Sequence, residues 1–413
     1  MLALVNSRVI TMEMDEDRQN SWLVHDPGWI AVGHGKIMGI GAGSLPSVFK
    51  GDADIIDLKG KTITPGLIDA HTHVGILEEA HAKEGDDANE TSEPVTPHLR
   101  ALDAVNPRDM AFKAAIESGI TCVCCLPGST NIIGGLGVVL KTHGSCVDEM
   151  VVGEGGLKAA FGENPKRCYG EKKTSPITRM AVAGLLRESL VQADNWRRKN
   201  NSWNEEERER DLHKEILVRL LDGEITMRAH AHRADDILTA MRIANEFNLS
   251  LVLDHCTEGH YIAEGIASSG HPVVYGPMFL GRVKQELEGM SEATPLVLNQ
   301  LGVKMALATD HPEISIKYLP LCASILHKWG LSWKDAFSCI TINPADILGL
   351  GHRIGSLAPQ KDADIVVWDG DPLDIHSGVE MVIIDGDVVF KRDGKNKKNN
   401  CLREADVGWK FQI

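Results

Sequence analysis

Apolar, strand-like runs recur through the middle of the chain at Ile63 to Ile68, Ile120 to Leu126, Leu157 to Phe161, Thr226 to Ala229, Leu249 to Leu253, Pro272 to Tyr275 and Val303 to Ala308, with helical patterns between them. Asp235 to Phe247 is one such pattern, placing Ile237, Met241 and Ala244 on a single face. Strands that alternate with helices need crossover connections, and hence parallel neighbours. A stretch of about 280 residues built this way suits an α/β fold of the (β/α)8 TIM-barrel type. Seven strands are visible in the pattern and one is missing. The stretch from Pro165 to Asp222 carries two helical patterns, Ile177 to Trp196 and Glu205 to Leu221, and reads as an enlarged connection or lid. Its charged run Asn204 to Arg210 reads as a solvated helix face.

Both ends of the chain have a different texture. Short strands follow one another without helices at Leu2 to Thr11, Trp29 to Val32, Lys36 to Ile40 and Asp54 to Leu58, and again at Ala363 to Trp368, Val379 to Ile384 and Val388 to Phe390. Asp385-Gly386 is a hairpin-turn signal between the last two. The expected organisation is a composite β unit from residues 1–63 and 351–394, a barrel over residues 64–350, and a tail over residues 395–413. The Lys/Asn-rich stretch Lys391 to Asn400 is expected to be flexible.

Composition narrows the partners. The 413 residues carry 43 Lys+Arg against 58 Asp+Glu, a net charge of −15, which argues against a phosphate-backbone binder that needs a basic surplus. No apolar stretch is long enough to span a membrane, and Asn6 and Arg8 interrupt the start where a signal peptide would be apolar. A cytoplasmic protein acting on a small molecule, without nucleic acid or membrane and with homo-oligomerisation left open, is therefore expected. Nine cysteines, scattered and mostly within apolar runs, fit free buried thiols. Cys122 and Cys125 form a C-x-x-C, but strand alternation points them to opposite faces.

The strongest chemical signal is Pro65-Gly66-Leu67-Ile68-Asp69-Ala70-His71-Thr72-His73. Histidines at i and i+2 at a strand end project to one face, so both rings can reach one metal ion in a barrel mouth. An H-x-H pair alone decides nothing; its position does. His230 and His232 end the run from Thr226, His255 ends the run from Leu249, and Asp310 ends Met305 to Thr309. Barrel active sites collect residues from the C-terminal ends of several strands, so ligand-type residues gathered at such ends favour a metal site over isolated structural histidines. Lys158 lies in an apolar run, where a lysine is costly unless paired or modified. The glycine-rich stretch Pro127 to Gly137 reads as a loop able to wrap substrate, since it lacks the P-loop pattern. Likewise Gly33 to Gly39 lacks the dinucleotide spacing and reads as a turn.

The segments Pro65 to His73, His230-Ala231-His232, Leu253-Asp254-His255, Ala308 to Pro312, Thr341 to Ala345 and Gly355 to Ile365 together resemble the metal-dependent amidohydrolase superfamily, and within it the imidazolonepropionase-related branch. The resemblance runs from the N-terminal strands to about Gly394. It implies a (β/α)8 barrel with a small β-sandwich formed by the N- and C-terminal segments, and hydrolysis of amide, ester or related bonds by a metal-bound hydroxide. By resemblance His71 and His73 are first-strand metal ligands and His230 the fifth-strand ligand. His255 resembles the sixth-strand histidine, which either binds a second metal or polarises the substrate carbonyl, and Asp310 the last-strand aspartate that ligates metal and handles the proton of the attacking water. A bridging ligand of a two-metal site falls on Lys158, with Glu163 the alternative.

The implied cofactor is one or two divalent metal ions, zinc foremost. His232 is a candidate substrate contact, and His311, Glu258 and His260 are candidates for orienting the ligands. Arg179, Arg228, Arg233 and Arg282 include candidate clamps for a substrate carboxylate. The expected activity is hydrolysis of a C–N bond, whether amide, cyclic amide or peptide-like, with Asp310 and His255 as catalytic groups. The alternative is an amidohydrolase-fold scaffold or binding protein that has lost catalysis.

Overall fold

The structure is a computed structural model that describes residues 1–14, 22–51, 53–80, 83–201, 209–392 and 399–401. At the N-terminus β1 (Leu2–Met14), β2 (Trp22–Gly33) and β3 (Lys36–Ala42) form an antiparallel meander, and β4 (Asp54–Asp57) and β5 (Thr62–Pro65) pair with β1 in parallel. Then come β6 (Leu67–Thr72), β7 (Ile120–Cys125), β8 (Ile133–Lys141), β9 (Val151–Ala160), β10 (Met227–Ala231), β11 (Leu251–His255), β12 (Val273–Tyr275) and β13 (Met305–Leu307). The chain ends with β14 (Ile365–Trp368), β15 (Val379–Ile384), β16 (Asp387–Arg392) and β17 (Asn399–Cys401).

The terminal strands meet in one sheet of nine, ordered β17-β16-β15-β14-β5-β1-β2-β3 with β4 on β1. Leu4, Val9, Ile30, Ile63, Ile365 and Ile383 are buried together on it, which is what joins the two ends of the chain. Asp385 and Gly386 both have positive φ, 48° and 85°, as the tight turn between β15 and β16 requires. Lys391 and Arg392 of the expected flexible stretch belong to β16, and β17 pairs with it; residues 393–398 and 402–413 lie outside the described residues.

The second sheet holds the remaining eight strands in chain order, β6 through β13. It curls into a barrel. Hydrogen bonds from the Asp310 N–H to the His71 carbonyl (3.1 Å) and from the His73 N–H to the His311 carbonyl (2.9 Å) join its two edges. Every residue of β6, β7, β10 and β11 is buried, as expected of strands covered on both faces, and this is why they read as continuous apolar runs.

The missing strand is β8, whose first five residues are the last five of the stretch read as a substrate loop. It runs antiparallel to both β7 and β9, so the barrel has seven parallel strands and one reversed, with no helical crossover between β7 and β8. Its glycines have a packing reason. The Leu136 N–H donates to the Leu99 carbonyl at 2.8 Å, and a Cβ on Gly135 (φ 125°) would stand 2.4 Å from that same oxygen. Glycine inside a strand here marks a close backbone approach, not a loop. Gly135→Ala is therefore expected to destabilise the protein by about 1–3 kcal/mol through overpacking and strain, read as a lowered urea midpoint. An unchanged midpoint would show that the Leu99 segment is free to move away.

The helices Glu163–Glu171, Arg179–Asn201 and Leu212–Leu221 occupy the enlarged connection before β10, the last starting later than the sequence pattern suggests. Residues 202–208, most of the charged run, lie outside the described residues. Cys122, Cys124, Cys125, Cys146, Cys168, Cys256, Cys322 and Cys339 are free thiols, and Cys122 and Cys125 fall in different core clusters, as strand alternation requires. Among the described residues no helix is long and apolar enough to cross a membrane.

Candidate metal centre

The ends of β6, β10, β11 and β13 face one another across the barrel mouth. Between Asp69 and Thr72, β6 holds one residue more than β7 does between Val123 and Cys125, which is a bulge. Next to it the Asp69 carboxylate accepts the Thr309 hydroxyl (2.6 Å) and N–H (3.2 Å), tying β6 to the residues after β13. His255, Cys256 and Asp310 have φ of 73°, 52° and 53°. Left-handed backbone is uncommon outside glycine, although Asp and His adopt it more readily than most, and it is held where the surroundings over-determine it.

The result is a concentration of buried ligand atoms. His230, His232 and His255 offer atoms within 4.8 Å of one another, as do His71, His255 and Asp310, so His255 belongs to both groups. His73 Nε2 stands 3.3 Å from Asp310 Oδ1. Lys158 is fully buried with Nζ 2.9 Å from His71 Nε2. Glu163 lies elsewhere: its carboxylate accepts the Glu286 N–H at 3.4 Å and faces Arg167 at 3.7 Å. The sequence alternatives for the bridging position are thus separated in space, with only Lys158 beside the histidines.

The rings are oriented from behind. His73 Nδ1 contacts the Leu126 carbonyl (2.7 Å), His255 Nδ1 the Gly276 carbonyl (2.8 Å) and His232 Nδ1 the Thr257 hydroxyl (2.7 Å). The two carbonyls can only accept, so they fix Nδ1–H on His73 and His255 and leave Nε2 of each as a lone pair, whereas the Thr257 hydroxyl can serve His232 as donor or acceptor. Below His71, Asp254 Oδ1 lies 3.3 Å from Nδ1, and Arg228 grips both Asp254 oxygens at 2.6 and 3.2 Å. Burial, with the Lys158 ammonium adding to it, pushes the His71 pKa down to about 4, and burial with His230 alongside pushes His232 down to about 3. Both rings are neutral at pH 7 and available as ligands. Burial likewise pulls Lys158 down to about 8, with Asp254 and Asp310 opposing it. Burial alone would raise the Asp310 carboxyl, but His255, His73 and His71 hold it well below the usual carboxylate range.

His230 Nε2 and Asp310 Oδ1 are buried with no hydrogen-bond partner. A buried carboxylate oxygen and a buried ring nitrogen left this way are each costly unless a further group reaches them, and N/O donors of this kind suit zinc and similar divalent cations. The residues therefore fit a divalent metal.

Other candidates fall away from the centre. The Glu258 carboxylate accepts the Ala234 N–H at the start of the helix Ala234–Phe247, and His260 bonds Thr294. His311 is closer, its Nδ1 accepting the Ile316 N–H and its carbonyl accepting from His73. None of the four arginines offers a free clamp: Arg228 is held by Asp254, Arg179 by Asp236, Arg233 by Asp235, and Arg282 by the carbonyls of Glu288 and Met290. Sequence reasoning assigned no role to Asp254 or Glu286. Asp254 had a signal, a charge inside the apolar run before His255. Glu286, in an irregular segment, had none.

A barrel closed in this way, with histidines and an aspartate able to hold a metal gathered at its strand ends, suits a hydrolase, and comparison with known proteins identifies the family. A sequence model of the amidohydrolase family matches residues 207–389. The crystal structure of an amidohydrolase from Thermotoga maritima MSB8 superposes with a TM-score of 0.89 at 41% identity, over 95% of this chain and 100% of the other. The amidohydrolase tasK of Hapsidospora irregularis is 29% identical over 385 residues, 86% of this chain but only 39% of its own length. Imidazolonepropionase of Maricaulis maris is 26% identical over 394 residues, 89% of this chain and 92% of its own. The chain belongs to the amidohydrolase family, hydrolases that act on carbon–nitrogen bonds.

Proposed function

We propose that this protein is a metal-dependent amidohydrolase that hydrolyses the C–N bond of a small molecule, an amide, cyclic amide or peptide-like compound. The observation that carries the reading is the pair of buried ligand groups sharing His255, with His230 Nε2 and Asp310 Oδ1 left unpartnered. His71, His73, His230, His255 and Asp310 would hold a divalent cation, zinc foremost, which when bound would supply Lewis acidity. His255 serves as a ligand shared between two cations or, with one cation, as the group that polarises the carbonyl. Asp310 takes the proton of the attacking water and returns it to the leaving nitrogen, a role suited to a carboxylate kept ionised in a buried site. His232, in the same cluster, is assigned either to the substrate side or to a cation.

Lys158 is assigned as the bridging ligand after carboxylation of its amine. Its depressed pKa, about 8, supports this because only the neutral amine reacts with carbon dioxide. The domain division, residues 1–63 with 351–394 around a barrel of residues 64–350, is part of the same proposal, as is a cytoplasmic setting. With the four arginines engaged by the protein itself, the reading favours substrates that do not depend on an arginine clamp for a carboxylate.

The test is metal content per chain by elemental analysis of protein purified without chelators, with turnover of a panel of lactams, dipeptides and cyclic ureas. Near two metals per chain supports the bridged centre, and near one supports the mononuclear form. No metal after reconstitution would refute the hydrolase mechanism and favour a binding protein. In a two-metal enzyme Lys158→Met is expected to lower the content to about one or less. Full content in that variant would end the assignment of Lys158.

A further inference from the structure

Residues 276–292, between β12 and the helix Ala293–Gln300, carry an acidic side chain that the chemistry above does not use. Glu286 is only 1% exposed. Its Oε2 accepts the Glu163 N–H at 3.3 Å, while the Glu163 carboxylate accepts the Glu286 N–H, so this segment and the turn after β9 are pinned to each other reciprocally. Its other oxygen, Oε1, points at the histidines, 3.7 Å from His230 Nε2 and 3.6 Å from His232 Nε2. The Lys284 ammonium is 2.9 Å from Oε1 but out of hydrogen-bonding alignment, and Oε1 and His230 Nε2 both lack a hydrogen-bond partner.

Those separations are informative. They are too long for hydrogen bonds, yet near the ~3.4 Å edge of a tetrahedron whose ligands stand ~2.1 Å from one cation. We propose that Glu286 is a carboxylate ligand, borne on an irregular segment, of a divalent cation held by His230 and His232, so that loading the centre and seating residues 276–292 are one event. The inference rests on the metal-dependent reading above. Lys284 supplies positive charge to the same oxygen when no cation is bound, and is displaced from it when one is.

The experiment measures zinc affinity of the full chain by competition with a chromophoric chelator, comparing wild type with Glu286→Gln and Lys284→Met. Trypsin digestion at Arg282 and Lys284, with and without zinc, reports on the segment. Glutamine keeps an oxygen for the Glu163 N–H but loses the charge. The expected result is zinc binding at least about tenfold weaker in Glu286→Gln, with zinc slowing cleavage at Arg282 in wild type but not in that variant. Lys284→Met, which removes a competitor and keeps the carboxylate, should bind zinc at least as tightly as wild type. Equal affinities of wild type and Glu286→Gln would overturn the ligand role and leave the proposed function standing. A loss in Lys284→Met matching that in Glu286→Gln would overturn it too, by showing a latch that only supports the fold. Absence of zinc binding by wild type would overturn both readings.

Discussion

Asp310→Asn is expected to lower kcat/KM by about 10²–10⁴-fold on whichever panel substrate the wild type hydrolyses, the range that a positioned acid–base group contributes. That corresponds to roughly 3–5 kcal/mol of transition-state stabilisation. Asparagine is close in shape and keeps an oxygen toward His71 and His73, which lie 3.4 and 3.3 Å from Asp310 Oδ1. It cannot take a proton. Metal content measured on the same sample separates the two proposed duties of the residue. Lost turnover with metal retained assigns Asp310 to proton transfer, whereas lost turnover with lost metal assigns it chiefly to ligation. Turnover within tenfold of wild type, metal retained, would remove it from the chemistry.

The second large effect lies beneath the centre. The Arg228 and Asp254 side chains are 2% and 0% exposed, and Arg228 also donates to the Ala70 carbonyl at 2.9 Å. Arg228→Met leaves the Asp254 carboxylate buried without its counter-charge, and breaking a buried pair from one side costs about 3–5 kcal/mol. The measurement is urea unfolding of metal-free protein. Adding Asp254→Leu to Arg228→Met should recover much of the loss, because an apolar pair carries no unpaired charge. A single-variant loss below about 1 kcal/mol, the scale of a surface pair, would mean that Asp254 is compensated elsewhere. In the intact protein the pair has a further consequence. Asp254 Oδ1 lies 3.3 Å from His71 Nδ1 without a hydrogen bond to it, so the pair sets the charge beneath the ring whose Nε2 faces Lys158 and Asp310.

The same contrast separates what was legible from what was not. Strand periodicity, the burial of both faces of β6, β10 and β11, and the ligand-type residues at their ends are local properties, written within a few residues of one another. For that reason His71, His73, His230, His255 and Asp310 could be named from spacing and position, and the meeting of the chain termini from their shared short-strand texture. The choice between Lys158 and Glu163 was not local. They are five residues apart in the same run, and only the seating of β9 in the barrel carries one to His71 while the other turns outward to Arg167. β8 escaped because its glycines answer to close neighbours elsewhere, Gly135 to the backbone of Leu99 and Gly137 to Leu126, contacts made across the fold. Arg228 was legible as a cation but not as one sealed by Asp254, and Glu286 sits in a segment with no periodicity to announce it. Sequence alone determined which side chains are delivered to the barrel mouth, because strand geometry acts over neighbouring residues. Only the tertiary structure decided which charges face one another there, because barrel closure brings together residues far apart along the chain.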